Sequence, residues 1–235
     1  MPLKSLLKKT INYGKQCYCP ICNSKLRTFK PMQTVSPRLN ALCPVCHSLE
    51  RHRMIWLFLQ HETDLFSSAP KKMLHIAPEE CLAQKIAQCS TIDYLTADLN
   101  NSAMVRMDLT DIQYPDQSFD VIYCSHVLEH IPDDAQAMAE LARVLKSTGW
   151  AIIQVPILRE LTYEDLSITD PKERERLFGQ SDHVRIYGYD YRNRLENAGF
   201  KVTVIPYLEQ YDKTARQKFG FDINQDDIYY CQRST

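Results

Sequence analysis

Blocks of apolar residues recur at regular intervals along the last two thirds of the chain. Short apolar runs, typical of buried strands, alternate with longer stretches that have apolar residues at helical spacing. The predicted strands are 73–77, 92–97, 119–124, 150–155 and 201–205, and the predicted helices are 80–88, 134–145 and 189–198. A final edge strand is predicted at Asp226–Cys231. This alternation predicts the doubly wound α/β class, a parallel sheet between helices, in which ligands bind at the carboxyl ends of the strands.

The first 60 residues differ in charge from the rest of the chain. The 235 residues carry a formal net charge of −1, and 44% of them are hydrophobic, enough for a substantial core. Residues 1–60 hold six Lys and four Arg against one Glu, a net charge of +9, so the remainder carries −10. A basic segment attracts polyanions, or it faces acidic residues of its own chain. We predict a basic module at 1–60 and a main domain at 61–235, with a polar insertion near 157–188.

Two C-x2-C pairs lie in the basic module. They are Cys19 with Cys22 and Cys43 with Cys46. Four thiolates complete the tetrahedral shell of Zn²⁺ and leave no open position, so this spacing predicts a structural zinc site in a zinc-ribbon-like module. Cys17 and His47 lie beside the pairs as substitute ligands, and disulfides are the competing interpretation. The other cysteines, at 81, 89, 124 and 231, are expected to be buried apolar side chains.

The length of the apolar runs and the composition of the first residues indicate where in the cell the protein is located. The longest apolar run, Met54–Leu59, is far shorter than the roughly 20 residues of a membrane-spanning helix. The first residues are basic but are not followed by the apolar centre of a signal peptide. We therefore expect a cytoplasmic protein, in which thiols stay reduced.

A helix is predicted directly after the second cysteine pair. Ser48 is the expected capping residue, and the helix runs to Gln60. Its first half contains Arg51, His52 and Arg53. These three residues either bind an anionic group or form a solvated, ion-paired face.

Several segments of the main domain carry a resemblance to a known family. They are 114–122 (YPDQSFDVI), 127–133 (VLEHIPD), 140–149 (ELARVLKSTG) and 197–200 (NAGF). Over roughly residues 72–205 the chain resembles the class I S-adenosylmethionine-dependent methyltransferases, specifically the type 11 subgroup. The resemblance implies a Rossmann-like sheet and S-adenosyl-L-methionine as cofactor. It leaves the acceptor open, because this subgroup methylates sugars, quinones, nucleic acids, proteins and small metabolites.

The resemblance also implies a set of cofactor-binding residues. Asp98 matches the acid that accepts both ribose hydroxyls, and Asp108 with Leu109 matches the pair beside the adenine. The loop after the first strand departs from the family, because Ala77–Glu80 contains no glycine. In this loop Glu79 or Glu80 either accepts a hydrogen bond from the cofactor ammonium or starts the next helix. The chain between Asp98 and Asp108 is too short for a full crossover, so the third strand is predicted to be trimmed.

Candidates for acceptor chemistry follow the fourth strand. Ser125 is a candidate acceptor contact, and His126 is a candidate acid or base. His126, Glu129 and His130 have the spacing of one helical face, on which two imidazoles and a carboxylate bind a divalent metal. The arrangement looks like that of ubiquinone-pathway O-methyltransferases, except that those enzymes carry an acid where this chain has His126. The alternative is a structural role for all three.

The polar insertion holds a second group of candidates. His183 is the candidate general base, with Asp182 orienting it, and Arg185 and Tyr187 are candidate acceptor contacts. The alternative is an ion-paired lid without chemistry.

Two functions are compatible with these features. The first is methyl transfer to a sugar, a sugar phosphate or RNA; some ribosomal RNA guanine methyltransferases and sugar C-methyltransferases also carry an amino-terminal zinc module. The second is a catalytically degenerate methyltransferase fold that binds nucleic acid or protein through its zinc module. The glycine-free loop and the trimmed third strand favour the second function, and the acids at positions 98 and 108 favour the first.

Overall fold

The computed structural model describes residues 3–32, 38–100, 103–221 and 227–234. The helices are α1 Leu3–Ile11, α2 Glu50–His61, α3 Glu80–Ile86, α4 Asp134–Val144, α5 Pro171–Phe178, α6 Tyr191–Asn197 and α7 Lys213–Phe219. The strands are β1 Tyr13–Cys19, β2 Ser24–Leu26, β3 Lys30–Met32, β4 Arg38–Leu42, β5 Lys71–Ile76, β6 Ile92–Asp98, β7 Val105–Arg106, β8 Phe119–Ser125, β9 Leu145–Gln154, β10 Ile157–Arg159, β11 Tyr163–Glu164, β12 Arg185–Gly188, β13 Phe200–Ile205 and β14 Ile228–Arg233. In these ranges no helix is both long and apolar enough to span a membrane.

The main sheet has the strand order β7-β6-β5-β8-β9-β14-β13. From β7 to β9 neighbouring strands are parallel, and β14 is antiparallel to both of its neighbours. The five parallel strands therefore end at one common edge, where sheets of this class bind ligands. The predicted fold class is confirmed, and each predicted strand and helix of the main domain is present with shifted ends.

Of the two strands predicted to be unusual, the third strand is as expected and the last strand is not. The third strand is trimmed as predicted, because β7 has only two residues and lies at the sheet edge. The prediction of a final edge strand is wrong, because β14 pairs with both β9 and β13 in the sheet interior. Its residues Ile228, Tyr229 and Cys231 are buried, as a strand with two neighbours requires. Asp226, the predicted start of this strand, lies outside the described residues.

By internal contacts the chain divides into two compact units, each assembled from separate segments. The first unit comprises 1–67, 79–90 and 206–227, and the second comprises 68–78, 91–205 and 228–235. The predicted domains, 1–60 and 61–235, are continuous segments, whereas the first unit also gathers α3 and α7.

In the first unit, α2 begins one residue later than predicted and has a different cap. The N–H of Leu49 donates to Nδ1 of His52 at 3.2 Å. The hydroxyl of Ser48 does not cap the helix, because it lies 3.4 Å from the sulfur of Cys19 and 3.3 Å from that of Cys46. Ser48 is thus a partner of the cysteines.

Arg53 of α2 is fully buried within the first unit. Its guanidinium stacks on the ring of Phe29, with 3.9 Å between Cζ and the ring centroid. Its N–H groups donate to the carbonyl oxygens of Ala41, Ser48, Phe219 and Gly220. His52 is also buried, with Nε2 3.7 Å from a carboxylate oxygen of Glu79. For these two residues the structure favours the intramolecular alternative over binding of an external anion.

In the second unit, the polar insertion forms a small sheet of its own. The strand order is β10-β12-β11, with β12 parallel to β10 and antiparallel to β11. The helix α5 is capped by Asp170, whose side chain accepts from two backbone N–H groups of the first turn. The insertion is therefore an ordered element with a fixed position for β12.

Arg185, the first residue of β12, binds the loop that follows β8. Its side chain is 1% exposed. The guanidinium donates to the carbonyl oxygens of Leu128 (2.9 Å), Ile131 and Pro132 (2.8 Å) and to a carboxylate oxygen of Glu164 (2.9 Å). Because these carbonyls lie outside regular strands, the guanidinium supplies hydrogen bonds that a sheet would otherwise provide. We call this set of contacts the Arg185 clamp.

We predict that Arg185→Met lowers the free energy of unfolding by about 1–3 kcal/mol, because the carbonyls of Ile131 and Pro132 lose their donor in the clamp, whereas Glu164 keeps its pair with Arg194. Arg185→Lys loses less, since lysine keeps the charge and fewer donors. The control is Arg176→Met, which removes an exposed pair with Glu173 and should leave the midpoint of unfolding unchanged. Urea unfolding followed by circular dichroism measures each value. Equal midpoints for Arg185→Met and the wild type would contradict a structural role.

Candidate functional site

Two residues at the carboxyl ends of neighbouring central strands have unusual backbone conformations. Ala77 follows β5 with φ of 46°, and His126 follows β8 with φ of 57°. Both lie in the left-handed region, which costs a non-glycine residue roughly 1–2 kcal/mol. The N–H of Ala77 donates to the carbonyl of Ala97 at 2.8 Å, and that of His126 donates to the carbonyl of Gln154 at 2.9 Å. The surrounding sheet therefore holds both residues in place, and such strain concentrates at functional sites.

The predicted cofactor acids lie at the end of β6 and in the segment after β7. Asp98 is the last residue of β6 and accepts a hydrogen bond from the N–H of Asn100 at 2.9 Å. Asp108 accepts from the N–H and the hydroxyl of Thr110, and these hydrogen bonds lower the pKa of its carboxyl. Leu109 is buried in the core. Both acids are thus carboxylates held on short turns past the strand ends of the second unit.

Glu79 and Glu80 belong to the first unit, because the chain passes from one unit to the other after Pro78. Glu80 starts α3 and accepts from the side chain of Gln84 at 2.8 Å. With the contact of Glu79 to His52, both side chains have partners within the first unit. Their role as cofactor contacts stays a prediction.

The segment after β8 is not the α-helix that the metal hypothesis required. Only Leu128–His130 forms a single 3-10 turn, and His126 precedes it in the left-handed conformation. Nδ1 of His126 lies 3.3 Å from a carboxylate oxygen of Glu129. Ser125 is buried at the end of β8. The predicted single helical face is therefore wrong, although His126 and Glu129 are in contact.

A different trio comes together instead. One donor atom each from Glu129, His130 and His183 lies within 4.8 Å of the others. The N–H of Val184 donates to the carbonyl of Glu129 at 2.9 Å and fixes the two segments side by side. His183 is more than 50 positions away from Glu129 and His130 in the chain, so no local spacing could have predicted its contact with them.

The two histidines of this trio have different hydrogen-bond partners. Nδ1 of His183 lies 3.1 Å from the carbonyl of Phe178, which can only accept, so Nδ1 carries the proton. The carboxylate of Asp182 lies 3.3 Å from Nδ1 of His130. The prediction that Asp182 orients His183 therefore fails, because a carbonyl already occupies that nitrogen.

The pKa of His183 is lowered, first by burial and then by the nearby His130. His183 is consequently a neutral imidazole at neutral pH, with its Nε2 lone pair available. A neutral imidazole of this kind acts as a base or as a metal ligand.

The predicted acceptor contacts in the insertion are revised by the structure. The N–H groups of Arg185 are engaged in the Arg185 clamp and lie beside Asp134 at 3.7 Å. Tyr187 is fully buried, and its hydroxyl donates to a carboxylate oxygen of Asp134 at 2.5 Å. Neither side chain has a donor left for an acceptor molecule. Sequence patterns cannot distinguish such buried polar groups from a binding site.

The four cysteines of the C-x2-C pairs form one cluster in the first unit. The sulfur atoms of Cys19 and Cys46 are 3.6 Å apart, and those of Cys22 and Cys43 are 3.8 Å apart. Each pair is followed by a residue with positive φ, Asn23 and His47 respectively. The turns thus direct all four sulfurs toward one point.

The other cysteines and the substitute ligands lie outside this cluster. Cys17 is half-buried, and His47 is hydrogen-bonded to the amino group of Lys8. Cys124 and Cys231 are buried as expected, whereas Cys81 and Cys89 are only half-buried.

Comparisons of the sequence identify relatives of the central part of the chain. Residues 73–153, about a third of the chain, match the family described as methyltransferase domain. Ajmaline N-methyltransferase from Rauvolfia serpentina is 29% identical over 105 residues, 44% of this chain and 34% of that protein. Ubiquinone biosynthesis O-methyltransferase from Paracidovorax citrulli is 31% identical over 84 residues, 30% of this chain and 35% of that protein. The chain thus spans about a third of the length of these curated relatives.

Comparisons of the structure extend over more of the chain. The YcgJ protein from Bacillus subtilis covers 78% of this chain and 99% of its own length, with a TM-score of 0.51 and 15% identity. An S-adenosylmethionine-dependent methyltransferase from Mesorhizobium loti covers 77% and 98%, with a TM-score of 0.51 and 14% identity. At these identities the likeness concerns the fold. Residues 73–153 thus match the methyltransferase-domain family, and the sheet that contains them has the class I methyltransferase fold.

Proposed function

We propose that this protein transfers a methyl group from S-adenosylmethionine to an acceptor molecule. The observation that carries the proposal is the conformation of Ala77. Related proteins place glycine in this loop, where the backbone approaches the cofactor, and Ala77 keeps a left-handed conformation that glycine adopts without strain. The chain retains the turn in spite of its cost, which supports a working pocket at the end of β5.

The residues present fit the cofactor by their donor and acceptor chemistry. The carboxylate of Asp98 suits two ribose hydroxyls, and that of Asp108 suits the exocyclic amine of adenine. The sulfonium of S-adenosylmethionine supplies an activated methyl group, so the protein has mainly to align an acceptor and remove its proton. Ser125 and His126 lie at the end of β8, the position for acceptor contacts. His126 and His183 are the candidate bases.

The alternative, a degenerate scaffold that only binds a partner, has less support. The evidence for this alternative is the absence of glycine from the loop 77–80 and the trimmed third strand. The left-handed Ala77 preserves the turn without glycine, and β7 still pairs with β6 at residues 97–98. Both features would be dispensable in a scaffold that binds no cofactor.

The acceptor is proposed only as a class, a sugar, a sugar phosphate or RNA. The burial of Arg53 and His52 removes two of the three basic residues that α2 offered to a polyanion. This weakens the case for RNA and favours a small acceptor. A cytoplasmic location stays a prediction.

We predict that Asp98→Asn weakens binding of S-adenosylhomocysteine about 10- to 100-fold, because the amide replaces two charge-assisted hydrogen bonds to ribose by weaker ones. Isothermal titration of the folded protein measures this. Asp93→Asn is the matched control, since Asp93 is exposed at the other end of the same strand. Equal affinity in Asp98→Asn and the control would refute the assignment of Asp98.

We also propose that the cysteine cluster holds a structural Zn²⁺. With zinc–sulfur bonds of about 2.3 Å, a tetrahedral site has sulfur atoms about 3.8 Å apart. The two distances in the structure, 3.6 and 3.8 Å, match this value. Four thiolates fill the coordination shell, so the ion organises the turns of the first unit and takes no part in chemistry.

We predict that wild-type protein dialysed against EDTA keeps one tightly bound Zn²⁺ per chain, and that Cys43→Ser loses it and unfolds at lower temperature. Elemental analysis and thermal unfolding measure the two effects. Cys89→Ser is the control, because Cys89 lies outside the cluster. Wild-type protein that is equally stable without zinc would overturn the structural role.

A further inference from the structure

A pair of buried polar atoms in the second unit lacks any hydrogen-bond partner among the described residues. They are Oε2 of Glu129 and Nε2 of His183. Glu129 is 1% exposed and His183 is 5% exposed. Leaving such atoms unpaired in the interior destabilises the fold, most of all for a charged group. An unpaired carboxylate oxygen and an unpaired imidazole nitrogen in one cluster therefore call for a common partner.

The hydrogen bonds around the cluster prepare its atoms as electron-pair donors. The carbonyl of Phe178 holds the proton of His183 on Nδ1, so the orphaned Nε2 has a free lone pair. The carboxylate of Asp182 beside Nδ1 of His130 acts in the same way. A hydrogen bond from the second ring nitrogen to a carbonyl or carboxylate is typical of histidines that bind metals.

The backbone that carries the cluster is held rigidly. The Arg185 clamp fixes the carbonyls on both sides of Glu129 and His130, and the N–H of Val184 binds the carbonyl of Glu129. The ring centroids of His130 and His183 are 4.6 Å apart, in an edge-to-face arrangement. Ligands on a rigid frame lose little entropy when they bind an ion.

We propose that Glu129, His130 and His183 bind a divalent transition-metal ion. Two imidazoles and one carboxylate favour Zn²⁺, Mn²⁺, Fe²⁺ or Co²⁺ over Mg²⁺ and Ca²⁺, which prefer oxygen ligands. Ligands at about 2.1 Å in a tetrahedral site are about 3.4 Å apart, so side-chain rotation within the 4.8 Å cluster completes the coordination. The side chain of His130 is 33% exposed, which gives the ion access from solvent.

Three protein ligands leave at least one position open. That position takes water or an oxygen-bearing group, a hydroxyl or carboxylate of a small molecule. The site stands on the contacts of the second unit alone and does not depend on binding of a methyl donor. With a metal ion on its Nε2, His183 is no longer available as a base, and His126 is then the candidate base. It is also distinct from the cysteine cluster, which has sulfur ligands and belongs to the first unit.

The test is a titration with Co²⁺ alone, without methyl donor, of full-length protein whose cysteine site has been filled with zinc. We expect one further Co²⁺ to bind per chain with a micromolar Kd, and with visible absorption that lacks the sulfur-to-cobalt charge transfer of a thiolate site. Calorimetry gives the Kd and stoichiometry. Binding only with the thiolate absorption, or no binding beyond the cysteine site, would overturn the proposal.

Variants assign the ligands. His130→Gln and Glu129→Gln should each weaken Co²⁺ binding at least about tenfold, since each removes one ligand of three. His130→Gln changes a partly exposed side chain, so it keeps the fold even if Glu129→Gln does not, and circular dichroism verifies this. The control is His61→Gln, an exposed histidine at the end of α2. Unchanged Co²⁺ affinity in His130→Gln would exclude this residue set as the site.

Discussion

The buried guanidinium of Arg185 determines where the chemistry-bearing side chains of the second unit lie. The Arg185 clamp binds the carbonyls of residues 128, 131 and 132 in the loop after β8, and that of Leu128 also accepts the N–H of Ile131. Asp134 and Glu164 supply the opposite charges, so the cation is buried with its partners. Because the same contacts hold β12 against the loop, Glu129 and His183 meet although they are far apart in the chain.

In the first unit, Arg53 binds irregular backbone beside the cysteine cluster. Arg53 donates to the carbonyls of Ala41 and Ser48 on either side of the second cysteine pair and to those of Phe219 and Gly220 at the end of α7, while it stacks on Phe29. Gly220 lies directly against this stack with φ of 65°, and a Cβ there would stand 2.5 Å from the ring of Phe29. In each unit, one buried arginine thus binds irregular backbone. From the sequence, both arginines were candidates for contact with an external ligand.

The sequence predicted the elements of the main sheet well, because buried parallel strands are marked by continuous apolar runs such as 121–124. The family resemblance, together with the short segment between Asp98 and Asp108, also predicted the trimmed third strand. Prediction from the sequence failed where a residue's role depends on distant partners. Ser48 has the sequence position of a helix cap but contacts the sulfurs of Cys19 and Cys46, and β14, predicted at the sheet edge, has two neighbours. The sequence groups His126 with Glu129 and His130, whereas the structure brings His183 to these two residues. Such contacts depend on tertiary packing, which local periodicity does not encode.

The proposed methyl-donor pocket lies at the carboxyl edge of the sheet, beside the left-handed Ala77 and His126. A crystal structure of the protein grown with S-adenosylhomocysteine would test this proposal. We expect the ribose hydroxyls on the carboxylate of Asp98, the adenine beside Asp108, and the sulfur near the ends of β5 and β8. S-adenosylhomocysteine bound elsewhere, or an edge without the ligand at saturating concentration, would contradict it.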